Sequence, residues 1–254
     1  MRYVRIKDQQ GSDSWGRLEG QFVQFLDRAP WEDKVLETDR TPLRTAEFRA
    51  PVQPSKIIAL AVNYEGATGR HAEDDEPVVF LKPPSAVIGP NEDIRCPFAG
   101  VRVWGESELA VVVGERLTRA TNQAARRAIF GYTLANDVTA ENVLDRDHHL
   151  ARSKAIDTFC PIGPWVDTAF VPSDQKLQGW HNETLLRESA LDRRVMKEVA
   201  MLVWISSWMT LEPGDVVLTG APTRVRDRMY LGEADEFSCC IEGLGTLKNT
   251  FRWV

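Results

Sequence analysis

The apolar residues of this chain fall mainly into short runs of strand length, bounded by glycine, proline and polar residues. In the first fifty residues, alternating runs at residues 3–6 and 21–26 are separated by breakers that include Gly16 and Gly20. Such alternation is typical of strands that bury one face. Residues 30–49 are charged and are expected to form turns. The pattern predicts a small β-rich domain at residues 1–52, closed by prolines.

Residues 53–254 are predicted to form a second, larger domain. Its expected strands are residues 56–62, 78–81, 104–114, 131–136, 216–219 and 237–241, followed by a last strand after the turn at 242–246. Helical spacing favours helices near residues 124–130 and 195–208. Because these helices do not alternate with the strands, a doubly wound parallel sheet is not expected. The predicted fold class is therefore mainly β with α, an α+β protein.

Composition and charge narrow the classes of function. The chain has 254 residues, of which 43% are hydrophobic and 27% charged, and its net charge is -6. Nucleic-acid binders normally present a basic patch, so no nucleic-acid partner is expected. No apolar run approaches the ~20 residues that span a bilayer, and residues 1–8 lack the apolar core of a signal peptide. Four cysteines without a C-x-x-C pair fit reduced thiols. A cytoplasmic protein without a membrane partner is expected.

Three carboxylates at two predicted strands carry the clearest chemical signal. Glu106 and Glu108 are two residues apart in one strand and therefore point to the same side, while Asp137 follows the strand at 131–136. Three carboxylates without paired histidines suit a hard cation such as Mg²⁺. An acidic pair in a strand can also be a solvated face. The continuous apolar run after Glu108 favours the metal, because a buried unpaired charge is costly.

A series of short motifs along the whole chain resembles one known family. The matching pieces are residues 15–16 (WG), 54–57 (PSKI), 63–64 (NY), 80–83 (FLKP), 106–114 (ESELAVVVG), 131–139 (GYTLANDVT), 152–154 (RSK), 157–164 (DTFCPIGP), 211–215 (LEPGD), 219–222 (TGAP) and 243–249 (GLGTLKN). In this order they resemble the fumarylacetoacetate hydrolase family, in its short bacterial form with a small N-terminal domain.

The resemblance implies a mixed β-roll catalytic domain, usually homodimeric. It implies Mg²⁺ (or Mn²⁺ or Ca²⁺) bound by Glu106, Glu108 and Asp137. Lys154 matches a lysine that reaches the substrate's carboxylate or enolate oxygen. The family cleaves carbon–carbon bonds in acylpyruvates and related 1,3-dioxo acids, and relatives decarboxylate or tautomerise similar 2-oxo acids. A metal ion is a Lewis acid suited to the enolates of such acids.

The chain departs from the family pattern in the lid after residues 63–64. The hydrolases carry a water-activating histidine and an acid at positions that are Ala67 and Arg70 here. His71 and Glu73 lie four residues late. They are either the displaced pair, with His71 as general base and Glu73 holding its imidazolium, or residues of a solvated loop.

Two further departures concern substrate binding. Glu141 stands where the family usually has an arginine that grips the substrate carboxylate, so the substrate differs or is bound by Arg152 or Arg70. In the segment 219–222 an alanine replaces a threonine, whereas Thr219 itself remains as a substrate contact.

These observations lead to one main hypothesis and two alternatives. The first is metal-dependent hydrolysis of a C–C bond in an acylpyruvate-like 1,3-dioxo or 2-oxo acid, with Lys154 stabilising the enolate and His71 and Glu73 activating water. The first alternative is a decarboxylase or keto–enol isomerase, which needs no activated water. The second is a non-catalytic protein that binds a metal and an oxo acid.

Overall fold

The secondary structure of this protein is dominated by strands. The computed structural model describes residues 1–7, 11–32, 35–67, 76–142 and 146–254. The first ten strands are β1 (Arg2–Lys7), β2 (Asp13–Glu19), β3 (Phe22–Leu26), β4 (Glu37–Pro42), β5 (Glu47–Arg49), β6 (Ile57–Ala61), β7 (Val78–Lys82), β8 (Val87–Ile88), β9 (Asp93–Cys96) and β10 (Val103–Trp104). The others are β11 (Ser107–Val113), β12 (Ile129–Asn136), β13 (Thr139–Ala140), β14 (Cys160–Asp167), β15 (Lys176–His181), β16 (Thr184–Ala190), β17 (Val216–Leu218), β18 (Glu236–Ile241) and β19 (Gly245–Trp253). The α-helices are α1 (Asn122–Ala128), α2 (Ala151–Lys154) and α3 (Glu198–Ser206).

Most strands belong to two sheets. The larger has twelve strands in the order β4-β3-β2-β1-β14-β12-β11-β17-β6-β7, with β5 beside β1 and β8 beside β14. Its pairs are antiparallel except β17–β6 and β14–β8. The smaller sheet has the order β16-β15-β18-β19-β9, and β10 pairs with β13 separately. The prediction of a mainly β protein with few helices is confirmed.

Strand β11 lies inside the larger sheet, between β12 and β17, and other parts of the chain cover both of its faces. All seven of its residues are buried. Val111 and Val113 belong to a cluster with Met201 and Ile205 of α3. Val112 belongs to a second cluster that contains residues of β6, β14 and β17. A strand packed on both faces needs an apolar residue at nearly every position, which is why the sequence shows an uninterrupted run.

The N-terminal strands differ from the prediction. Gly16 was expected to break a strand but lies inside β2, where a side chain would meet Val23 Cγ1 at 2.4 Å. It is therefore a close-packing position between strands. The stretch at 30–49, predicted as turns, contains β4 and β5, because charged residues tolerate the exposed edge of a sheet.

The N-terminal strands continue the sheet of the larger part of the chain. Val4, Ile6 and Val23 form a small buried cluster of their own. However, β1 pairs with β14, and the Trp31 ring lies 5.5 Å from that of Phe130. Residues 1–52 are thus joined to the rest by strand pairing and by aromatic packing.

Among the described residues, no helix has the length and apolarity that a bilayer span requires.

Candidate active site

The three predicted metal ligands line one cavity. Glu106, Glu108 and Asp137 all face a cavity of about 1070 Å³. Glu106 directly precedes β11, Glu108 lies within it, and Asp137 follows β12. These strands are antiparallel neighbours with Ser107 opposite Asn136, so the start of one strand meets the end of the other. The pairing of two strands therefore places three carboxylates at one edge.

Backbone and packing contacts fix the turn that carries Glu106. The Glu106 amide donates to Asn136 Oδ1 (2.9 Å), and the Asp137 amide donates to the Glu106 carbonyl (2.8 Å). Gly105 packs so tightly against Phe237 that an added Cβ would lie 2.5 Å from the ring. Only a glycine therefore allows β11 to begin at this distance from the smaller sheet.

Two buried lysines neutralise Asp137. Lys154 Nζ lies 2.5 Å from Asp137 Oδ2 and also donates to Thr139 Oγ1 (2.7 Å). Lys82 Nζ lies 2.6 Å from Asp137 Oδ1 and donates to the Val138 carbonyl (3.2 Å). Burial alone would lower the pKa of Lys154, but Asp137 and Glu106 raise it above its ordinary value. Lys154 is therefore a fixed ammonium at neutral pH.

Glu106 is held between two cations. Its Oε2 lies 3.2 Å from Lys154 Nζ, and its Oε1 lies 2.6 Å from Arg187 Nη2. Burial alone would raise the pKa of Glu106, but Lys154 and Arg187 lower it to about 2. Glu106 is consequently a carboxylate at neutral pH.

Glu108 has a different environment. It is 2% exposed, and within the described residues its carboxylate accepts a hydrogen bond only from the Gly220 amide (2.6 Å) and forms no ion pair. Burial and the neighbouring Asp137 raise the pKa of Glu108 well above its ordinary value. A buried carboxylate of this kind requires a proton or a cation.

The donor set fits a hard divalent cation. Within the described ranges, no group of three His, Cys, Asp or Glu side chains is already arranged as metal ligands, and the lysines contact Glu106 and Asp137 instead. Even so, the three carboxylates supply oxygen ligands around a cavity, as Mg²⁺ and Mn²⁺ require. The observation in favour of a cation is that Glu108 is buried without an ion-pair partner in the described structure. A cation there would offset the free-energy cost of burying its negative charge.

The other predicted site residues are distributed differently. Glu141 lies outside the residues that line the cavity and pairs with Arg102 (2.6 Å). Arg152 stacks on Phe98, with its guanidinium carbon 4.4 Å from the ring centroid. Thr219 is buried beside Glu108's partner Gly220, and its hydroxyl has no hydrogen-bond partner in the described structure. The predicted lid residues Arg70, His71 and Glu73 lie outside the described residues.

The sequence did not indicate several residues that contact the site. Lys82, a partner of Asp137, lies within a family motif but had no predicted role. Arg187 gave no sequence signal, because its partner Glu106 is 81 positions away. Residues 221–229 also line the cavity and include Arg224, Arg226 and Arg228. The alternating arginines of this segment are visible in the sequence and could have been noted.

Comparison with known proteins identifies the family. Residues 56–252 match the sequence profile described as fumarylacetoacetate (FAA) hydrolase, C-terminal, which covers well over half of the chain. The chain belongs to the fumarylacetoacetate hydrolase family. Residues 1–51 match a second profile, described as Rv2993c-like, N-terminal. The resemblance drawn from the motifs is confirmed.

Two proteins with similar sequences differ in whether their names state an activity. Protein Rv2993c of Mycobacterium tuberculosis is 38% identical over 215 residues, which are 82% of this chain and 79% of that protein. The oxaloacetate tautomerase FAHD2B of Bos taurus mitochondria is 34% identical over 260 residues, covering 90% of this chain and 78% of that protein.

Solved structures of the family show the same fold. The 5-carboxymethyl-2-hydroxymuconate delta-isomerase of Mycobacterium smegmatis has a TM-score of 0.91 and 34% identity over 100% of both chains. The maleylpyruvate hydrolase of Sphingobium sp. SYK-6, solved with manganese(II) and pyruvate, has a TM-score of 0.79 and 27% identity over 100% of this chain and 99% of that chain. Family members are thus enzymes of more than one reaction type, and one binds a divalent metal and an oxo acid.

Proposed function

We propose that this chain is a divalent-metal-dependent keto–enol isomerase of a 2-oxo acid, with Mg²⁺ or Mn²⁺ as its metal. The observation that carries the proposal is the position of Lys154, whose ammonium contacts Glu106 (3.2 Å) and Asp137 (2.5 Å), two of the residues that line the cavity. A permanent positive charge beside carboxylates that can hold an ion suits a reaction in which an oxygen becomes negative.

The proposed metal ligands are Glu106, Glu108 and Asp137. An ion held by them would polarise the 2-oxo group and stabilise the enolate as a Lewis acid. The protein's part is to keep the three carboxylates ionised and close together. Lys154, Lys82 and Arg187 do this for Asp137 and Glu106, and the ion itself would do it for Glu108.

Lys154 is proposed to donate a hydrogen bond to the enolate oxygen. Its side chain is 8% exposed, and its ammonium already donates to Asp137, Thr139 and Glu106. The longest of these contacts, to Glu106 (3.2 Å), would give way to the enolate oxygen, while Asp137 and Thr139 keep the ammonium in place.

The described cavity favours isomerisation over hydrolysis. Of the described residues that line it, none is a histidine, and Ala67 lines it at the position of the hydrolases' water-activating histidine. Isomerisation moves a proton between carbon and oxygen and requires no nucleophilic water. The descriptions of the relatives as an isomerase and a tautomerase support the same reaction class.

Hydrolysis of an acylpyruvate is the second candidate. It is favoured by the likeness to a maleylpyruvate hydrolase solved with manganese(II) and pyruvate. In that case His71 and Glu73 would act as the water-activating pair that the sequence analysis proposed. For a 2-oxo acid with a second carboxylate attached to carbon 3, such as oxaloacetate, decarboxylation would take the place of hydrolysis.

The proposal is tested by product analysis with oxaloacetate and acetylpyruvate in the presence of Mg²⁺ or Mn²⁺. An isomerase changes the rate of enol–keto exchange and leaves the total amount of each acid intact. A hydrolase forms pyruvate and acetate from acetylpyruvate, and a decarboxylase releases carbon dioxide from oxaloacetate. Metal binding without any of these reactions would instead indicate a non-catalytic binding protein and would overturn the proposal.

A substitution of His71 separates the two candidates within one experiment. His71→Ala should leave isomerisation within about twofold of the wild type, because the proposed reaction does not use this histidine. A loss of about 100-fold or more would be expected for hydrolysis, since general-base catalysis contributes roughly 10²–10⁴.

A further inference from the structure

A consecutive arginine-rich segment lines the cavity beside the carboxylates. Residues 221–229 all contribute to its wall, and they include Arg224, Arg226 and Arg228. All three arginines are exposed. Within the described structure, neither Arg224 nor Arg226 forms an ion pair with a carboxylate. Unpaired guanidinium groups that face a cavity are available to an anionic ligand.

The segment is held in place by contacts that also involve the proposed metal site. Arg187 donates to the Pro222 carbonyl through Nη1 (2.7 Å) and to Glu106 through Nη2 (2.6 Å). The Val225 amide donates to the Leu186 carbonyl of β16 (2.9 Å). One buried side chain thus connects the first part of the arginine-rich segment to a proposed metal ligand.

Arg228 is positioned by an aromatic ring. Its guanidinium carbon lies 4.0 Å from the ring centroid of Trp104, two residues before Glu106. Stacking on tryptophan orients the planar guanidinium and leaves its edge free to bind a carboxylate. Desolvation and the charge of Arg224 lower the pKa of Arg228, and both side chains line the same cavity.

Acidic and basic side chains line the cavity in equal numbers, although the whole chain carries -6. Of the described lining residues, four are acids (Glu106, Glu108, Asp137 and Asp227) and four are arginines. Lys154 and Lys82 are not among them but contact Asp137 and balance its charge. A bound divalent metal would make the site positive. Such a site attracts a ligand with more than one negative charge.

We infer that Arg224 and Arg228, with Arg226, form the recognition site for a second carboxylate of the substrate. The inference rests on the proposed function, in which the ion and Lys154 engage the 2-oxo carboxylate end. The substrate class is accordingly a dicarboxylic 2-oxo acid whose distal carboxylate is bound by the arginines.

The test compares two substrates that differ only in the distal group. Oxaloacetate and 2-oxobutanoate share the 2-oxo acid end and carry a carboxylate or a methyl group at carbon 3. The wild-type kcat/KM should favour oxaloacetate by at least tenfold. Arg228→Gln and Arg224→Gln should each reduce this preference by about 10- to 100-fold, since a charge-assisted hydrogen bond contributes about 1.5–3 kcal/mol and 1.4 kcal/mol is tenfold.

A matched control is Arg126→Gln, an exposed arginine of α1 that does not line the cavity. It should retain the wild-type preference. Arg228→Lys should recover only part of the preference, because lysine keeps the charge but not the planar fork. A fall of both substrates by the same factor in the Arg→Gln variants would mean a merely structural role and would overturn the inference. A wild type without preference would also overturn it.

Equilibrium binding separates this inference from the proposed reaction. If the wild type turns over neither substrate, the proposed function fails, but calorimetric binding of 2-oxoglutarate and 2-oxopentanoate with Mn²⁺ still tests the arginines. The two acids have equal chain length and differ in the distal carboxylate. A preference for 2-oxoglutarate that Arg228→Gln removes supports the inference, and equal binding of both acids overturns it.

Discussion

At the residue scale, the three carboxylates of the site differ in how fully neighbouring groups balance their negative charge. Asp137 has two lysine partners and Glu106 has Lys154 and Arg187, whereas Glu108 receives one backbone hydrogen bond. The sequence predicted the carboxylates and Lys154, because each lies in a contiguous motif. It could not predict Arg187, whose contact with Glu106 depends on the packing of two distant strands.

Replacement of Lys154 tests its role against a similar lysine. Lys154→Met should lower kcat for enolisation by about 10²–10³, because a preorganised donor to the enolate is lost. Lys82→Met also removes a partner of Asp137 and is the matched control. Both variants should lose about 3–5 kcal/mol of stability, as expected when a buried pair is broken. Equal losses of kcat in the two folded variants would contradict a specific role for Lys154.

Metal binding is predicted to be visible as thermal stabilisation. At 100 times its Kd, Mg²⁺ or Mn²⁺ should stabilise the wild type by about 2.7 kcal/mol, and therefore raise Tm by roughly 5–10 °C. Glu108→Gln should remove most of this shift. Without metal, the variant should be at least as stable as the wild type, because an uncompensated buried carboxylate is gone. Glu141→Gln, which lies outside the cavity, should keep the full shift, measured by calorimetry.

At the element scale, the short helix α2 presents Lys154 and is held by one carboxylate. Asp147 accepts hydrogen bonds from the Ser153 amide (2.6 Å), the Ser153 hydroxyl (2.6 Å) and the Arg152 amide (3.1 Å). Burial alone would raise the pKa of Asp147, but the bonds from Ser153 and the backbone amides lower it. An isolated helix of four residues is not stable, so these bonds determine where Lys154 lies.

The lowered pKa of Asp147 predicts a defined pH dependence. A carboxylate with a depressed folded-state pKa contributes stability above its unfolded value of about 3.9 and loses it as the pH falls through the folded value. Asp147→Asn should therefore be about 1 kcal/mol less stable than the wild type at pH 6–8. The difference should begin to shrink as the pH falls below about 4 and should vanish below the folded-state pKa. Urea unfolding from pH 8 to pH 2 measures it, with the exposed Asp157→Asn as control. A difference that does not shrink between pH 6 and pH 2 would contradict the assignment.

Strands were predicted correctly from the sequence where burial on both faces requires a continuous run of apolar residues. The strands β6, β11 and β12 are covered by neighbours on both faces, which requires apolar runs that the sequence displays. In contrast, β14 contains two prolines and a glycine, and β16 contains good helix formers such as leucine, glutamate and alanine. Their strand conformation comes from pairing with distant segments, which local propensity does not reveal.

At the scale of the whole molecule, the N-terminal strands and the catalytic part share one sheet. Strand β1 pairs with β14, and Trp31 packs against Phe130 and Gly214. The division into 1–52 and 53–254, and the homodimer that the family resemblance implies, stay predictions. The shared sheet nevertheless suggests that the two parts depend on each other for stability.

Unfolding is expected to be a single cooperative transition. Far-UV circular dichroism and tryptophan fluorescence should give coincident urea curves, because separation of the N-terminal strands would expose the edge of β14 and the Trp31 contact. Trp15 and Trp31 report on the N-terminal part, and Trp204 and Trp208 on α3. Two separate transitions would show that the N-terminal strands are an independent unit.

In the proposed reaction, a metal ion bound by Glu106, Glu108 and Asp137, together with Lys154, accelerates enolisation of a 2-oxo acid. The most direct measurement is the relaxation of enol oxaloacetate to its keto form, followed by enol absorbance with the wild type, its chelator-treated form, and Glu106→Gln. Rapid relaxation is expected only with the metal-loaded wild type, and the rate should be at least 100-fold lower in the other two samples. Equal relaxation in all three samples, or a wild-type rate no faster than that of buffer with Mn²⁺, would contradict it.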